Sequence, residues 1–109
     1  MKIGISAKGG SMEAEVDPRF GRCPYFLIVD SDTMRFEAFS NPSTGMAHGA
    51  GPSTVQEFMN RDTEVVLTGQ VGPNAQQALE TAHLEVVTGA SGTVREAVEI
   101  YLGAQPAKN

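Results

Sequence analysis

The chain has 109 residues, about one domain's worth. At that size it buries roughly 60–70% of the surface its unfolded form exposes, enough for a core without metal or disulfide staples. Eight basic against 13 acidic residues leave a net charge of −5, which disfavours a nucleic-acid binder, whose surface must neutralise phosphates. No apolar run approaches the ~18 residues of a membrane span. One cysteine, Cys23, and an N-terminus that enters a strand pattern without a signal-peptide apolar region point to a reducing cytoplasm.

In chain order, Lys2 to Ala7 carries Ile3 and Ile5 and stops at Lys8-Gly9-Gly10, which predicts a short strand. Tyr25 to Val29 is an almost continuous run of aromatic and β-branched residues, the pattern of a strand buried on both faces. Asp30 to Thr33 supplies turn chemistry, and Arg35 to Phe39 returns as the second strand of a hairpin, its charges suited to a sheet edge. Ser43 to Gly51 is a loop of small residues around His48. Val55, Phe58 and Met59 then form one face of a short helix, opened either by Pro52 in its first turn or by a Ser53/Gln56 capping box.

Glu64 to Thr68 is the next strand. Ala75, Ala78, Leu79 and Ala82 mark a second helix, with His83 a candidate charge partner at its C-terminal end. Leu84 to Val87 is the last strand. The final helix is the best marked: Thr93 and Glu96 form a capping box, Val94, Ala97, Val98 and Tyr101 an apolar stripe, and Gly103 stands where a left-handed terminator belongs. Residues 1–103 therefore read as one domain and 104–109 as a flexible tail. A hairpin followed by strand–helix units implies a mixed sheet, mostly parallel in its second half, with helices on its faces.

Glycine-rich segments at 49–52, 69–73 and 89–92 precede the three helices. Ligands of open α/β sheets lie beyond the carboxyl ends of the strands, and helix N-termini there offer unpaired N–H groups that favour anions. Gly49, Gly51, Gly69, Gly72, Gly89, Ser91 and Gly92 are thus candidate binding positions, although glycine at such junctions also serves tight turns alone. Gly49-Ala50-Gly51 begins like a dinucleotide fingerprint but has Thr54 in place of the third glycine and follows a loop. Arg19 and Arg22 flank Cys23, a setting that lowers a thiol pKa; the alternative is a small buried hydrophobe. His48 has no apolar stripe to join and reads as a loop residue, a ligand or a base. One Cys and two His cannot build a closed zinc site.

Pro18-Arg19-Phe20-Gly21-Arg22-Cys23-Pro24-Tyr25-Phe26, His48-Gly49-Ala50-Gly51-Pro52, Gly69-Gln70-Val71-Gly72-Pro73 and Gly89-Ala90-Ser91-Gly92-Thr93-Val94, taken together and in that order, resemble the dinitrogenase iron–molybdenum cofactor biosynthesis family. The resemblance spans Lys2 to Leu102. It implies a ribonuclease-H-like α/β fold: a five-stranded mixed sheet with an N-terminal β-hairpin, three flanking helices and no nuclease activity. It also implies a non-catalytic carrier of an iron–sulfur or iron–molybdenum-type cluster or its precursor. Arg19, Arg22 and the glycine turns would hold the anion, with Cys23 and His48 as the metal ligands. Some cluster-binding members carry His at the position of Arg19, and a guanidinium pairs with anions rather than ligating metal. Other readings of the same loops are an enzyme or sensor for a small anionic metabolite and an adaptor docking a metalloenzyme or biosynthetic partner. The expected state is a monomer or a weak homodimer.

Overall fold

The computed structural model describes residues 1–42 and 52–104. Among them the order is β1 (Lys2–Ala7), β2 (Tyr25–Asp30), β3 (Phe36–Ser40), α1 (Pro52–Asn60), β4 (Val65–Leu67), α2 (Pro73–Thr81), β5 (Glu85–Val87) and α3 (Val94–Ala104). The strands form one mixed sheet ordered β3-β2-β1-β4-β5. β1 pairs antiparallel with β2, and β2 with β3, whereas β4 and β5 run parallel to β1. The chain first builds outward from β1 through the hairpin, then crosses over through α1 to the other side of β1. The winding direction therefore switches between β1 and β4.

Strand alternation sorts the side chains into two cores. Ile3, Ile5, Leu27, Val29, Val65 and Leu67 face α3 and pack on Val94, Val98 and Tyr101. Phe26, Ile28 and Val66 face the other way, toward Val55 and Phe58 of α1 and Ala75 and Leu79 of α2. Gly4 of β1 lies on that second face: a Cβ there would stand 3.0 Å from the Phe58 ring, so the missing side chain is the space the ring occupies. Phe58 stacks in turn against Phe26 at 5.1 Å and Phe20 at 6.0 Å, in tilted and edge-on geometries that aromatic quadrupoles favour. The expected burial of β2 on both faces holds, with Phe26, Leu27, Ile28 and Val29 all inaccessible, and β3 is the exposed edge.

The helix ends separate right readings from wrong ones. Pro52 opens α1, and the Gln56 amide donates to Asn60 rather than reaching back to a cap. The Thr93/Glu96 box is closed: Thr93 N–H donates to the Glu96 carboxylate at 2.9 Å, and Glu96 N–H to Thr93 Oγ1 at 3.1 Å. Gly103 is not a terminator, because α3 runs through it to Ala104 and its φ is not left-handed. His83, at the end of α2, is its left-handed terminator, with φ of 61°. His83 N–H bonds Glu80 O and Leu84 N–H bonds Leu79 O, which is the Schellman pattern with histidine in the glycine position. Asp62 ends α1 in the same way, with φ of 57°. The proposed tail falls almost wholly at 105–109, outside the described residues.

Candidate functional site

The strand register brings the carboxyl ends of β1 and β4, the start of β2 and the end of β3 to one edge of the sheet, where Ala7 faces Tyr25 and Tyr25 faces Ser40. Residues 8–24 lie across this edge. Lys8 N–H bonds Glu15 O, Asp17 N–H bonds Ser6 O, and Gln70 N–H bonds Pro18 O, all at 2.8–2.9 Å. Isolated bridges join Arg19 to Gln70 and Glu15 to Thr93. The switch point between β1 and β4 is therefore covered by Asp17-Pro18-Arg19-Phe20. Beneath them Ser6 Oγ donates to Asp17 O at 2.6 Å and lies 2.7 Å from Thr68 Oγ1, both hydroxyls being fully buried.

This arrangement gives Gly69 a structural role. A Cβ on it would fall 2.5 Å from Pro18 Cα, so only glycine lets the two backbones cross, and its turn is occupied by protein rather than left open to an anion. Gly69 O accepts from Gly89 N–H at 2.9 Å, so the glycines twenty residues apart in sequence meet across neighbouring parallel strands. The α3 N-terminus is likewise filled from within. Gly92, with φ of 82°, lies against the Glu96 carboxylate, which takes the place an outside anion would have. Gly89 and Ser91 border a different space, a cleft of about 230 Å³ walled by Leu67, Val87, Ile100 and Tyr101, an apolar lining. Gly72 is the N-cap of α2, exposed, with no side chain bonding the first turn.

Cys23 corrects the expectation of an activated thiol. It is fully buried within the aromatic core, its Sγ donating to Phe20 O at 3.4 Å and accepting weakly from Asn41 Nδ2. Burial, reinforced by the Asp17 carboxylate, pushes its pKa up to about 12. The flanking arginines do not help, because Arg19 is committed to Asp17 and Arg22 faces solvent. A thiol held neutral and enclosed is shut off from a ligand at the surface, so this geometry does not present Cys23 as a metal ligand. His48, Gly49 and Gly51 lie outside the described residues. Among the described residues no three His, Cys, Asp or Glu side chains gather as a metal site.

The residue that sequence reasoning missed is Asp17. Its place in an acidic loop with Glu13 and Glu15 suggests solvated charge, yet its carboxylate is 1% exposed. Burial alone would raise its pKa; the side-chain and backbone hydrogen bonds of Arg19, with the charges of Arg19 and Lys8, outweigh this and lower it. Arg19 Nε and Nη2 donate to the two carboxylate oxygens at 3.2 and 3.3 Å, and Arg19 N–H donates to Oδ1 at 2.9 Å. The guanidinium is nonetheless 58% exposed. The signal was the Asp-Pro-Arg sequence itself, since an aspartate accepting from the amide two residues on is a common turn.

This geometry defines a class: a mixed α/β domain that displays a fixed cation at the strand ends and encloses its only sulfhydryl. The model of the dinitrogenase iron–molybdenum cofactor family matches residues 1–103, and the chain belongs to that family. It is similar to the apo form of the orange protein from Desulfovibrio gigas, with 38% identity, 98% of this chain and 96% of that one covered, and a TM-score of 0.87. A candidate NifB protein from Thermotoga shares 31% identity over 94% of this chain and 88% of its own, with a TM-score of 0.82. An uncharacterized protein of Methanocaldococcus jannaschii is 22% identical over 90 residues, 80% of this chain and 76% of its own.

Proposed function

We propose that the protein is a non-catalytic carrier of an anionic iron–sulfur or molybdenum-containing cluster, or of its precursor, acting in metallocofactor biosynthesis in the cytoplasm. Membership of the cofactor family supports the cargo class. The strand order suits the ribonuclease-H-like arrangement that the resemblance implied. Among the described residues no helix is long and apolar enough to cross a membrane. The observation that carries the reading is the Arg19 guanidinium, fixed by a buried carboxylate yet more than half exposed, on a residue bridged to Gln70 in the turn that leads into the uncapped start of α2.

Iron–sulfur and molybdenum–sulfur species are anions with many acceptor sulfurs. Guanidinium groups and backbone N–H donors can hold them without a covalent bond to the metal, a mode suited to cargo that must be handed on. Arg22, exposed and hydrogen-bonded through its backbone N–H to Arg19 O, is the second cation. His48 remains the one proposed direct ligand, filling a labile position with imidazole nitrogen.

The test is anaerobic reconstitution with iron, sulfide and molybdate, followed by gel filtration, visible absorption and metal analysis. Wild-type protein and Cys23→Ala are expected to retain equal metal. Arg19→Ala/Arg22→Ala is expected to lose most of it, and His48→Ala to lose part. Wild-type retention no greater than that of an unrelated acidic protein of the same size would overturn the carrier.

A further inference from the structure

We infer that Asp17 is a positioning residue for the anionic cargo: by gripping Arg19 from beneath, it fixes the direction in which the guanidinium meets the anion. The inference rests on the carrier reading and deepens it. Its basis is the shape of the pair. Asp17 contributes both carboxylate oxygens and is 1% exposed, whereas Arg19 is 58% exposed. A guanidinium has five N–H donors in a rigid plane. Two of them, on Nε and Nη2, point at Asp17, so the remaining donors are carried on the side turned away from the carboxylate.

An exposed arginine without such a partner samples many rotamers, and ordering it on binding costs affinity. Here that ordering is already done in the free protein. Asp17 itself is held in place, because its N–H bonds Ser6 O, its C=O accepts from Ser6 Oγ, and Ser6 of β1 meets Thr68, the residue that follows β4. The direction of Arg19 is thus referred back to the central strands of the sheet. Lysine at position 19 would keep the charge but lose the planar fork that makes the direction definite.

The test is anaerobic titration with tetrathiomolybdate, a molybdenum–sulfur dianion, followed by visible absorption and equilibrium filtration at one fixed salt concentration. Asp17→Asn and Arg19→Lys are each expected to raise the dissociation constant about fivefold to tenfold, the double variant no further. In an Arg19→Ala background, Asp17→Asn is expected to change it less than about twofold. A residue needed only for folding would weaken binding in either background. Thermal melts accompany each variant, and should Asp17→Asn not fold, the surface change Arg19→Lys decides alone: wild-type affinity in it overturns the inference. So does an Asp17→Asn protein that binds as well as, or more tightly than, wild type, since Asp17 would then be only a competing negative charge. If wild-type protein does not bind the dianion at all, the carrier reading fails, and this inference with it.

Discussion

At the scale of single residues, the consequential contrast is between Cys23 and Asp17, six positions apart. The cysteine looks reactive beside two arginines and is inert; the aspartate looks like loop charge and is buried. Cys23 is expected to resist iodoacetamide in the native protein and to react once the chain is unfolded, followed by mass spectrometry of the 109-residue protein. Its pKa, about 12 in the fold against ~8.5 unfolded, also fixes a sign. The unfolded chain gives up the thiol proton first, so this contribution to stability is complete below about pH 8 and is lost progressively above it. Tyr101, raised by burial and by Glu85, acts in the same direction. Melting temperature should therefore fall on the alkaline side, with a shallower decline in Cys23→Ala. Asp17 left a local signal in its Asp-Pro-Arg turn, whereas the burial of Cys23 could not be decided from its neighbours, because what encloses it arrives from far away: Phe58 and Leu79 share its core, and Asn41 bonds both its carbonyl and its sulfur.

Among the elements, sequence periodicity was a good guide because the apolar spacing and the observed faces have one cause. Val94, Ala97, Val98 and Tyr101 are buried as their spacing requires. The capping box at Thr93 was legible for a similar reason, since all of its partners lie within four residues. The left-handed ends were not. Histidine and aspartate carry weaker terminator signals than glycine, and the Schellman turn at His83 is held by Leu84 packing into the same core as Leu79. A left-handed conformation costs an ordinary L-residue ~1–2 kcal/mol, while glycine returns part of that gain in unfolded-state entropy. His83→Gly is therefore expected to stabilise the fold by roughly 0.5–1 kcal/mol, a rise of roughly 3–6 °C in melting temperature. His83→Ala, which keeps the penalty, should show no such gain in the same calorimetric scan.

For the whole molecule, the described glycine turns at Gly69 and Gly89 follow the carboxyl ends of β4 and β5, as the winding of the sheet dictates, while Gly69 accommodates Pro18 and Gly92 accommodates Glu96. Sequence marks where a side chain is forbidden without saying whether ligand or protein fills the space. Gly69→Ala places a Cβ 2.5 Å from Pro18 Cα and is expected to cost about 2–3 kcal/mol in denaturant unfolding. Its distinguishing mark would be faster amide hydrogen exchange at Asp17 and Gln70, with Ile5 and Leu27 still protected. The span from Lys8 to Phe20 is fastened to its neighbours largely through main-chain atoms, at Ser6, Gln70, Gly92 and Val94. Main-chain fastening is indifferent to the identity of outward-facing side chains. The course of this span is thus inherited separately from its lettering, and one scaffold can exchange the chemistry it presents for another while leaving its foundations untouched.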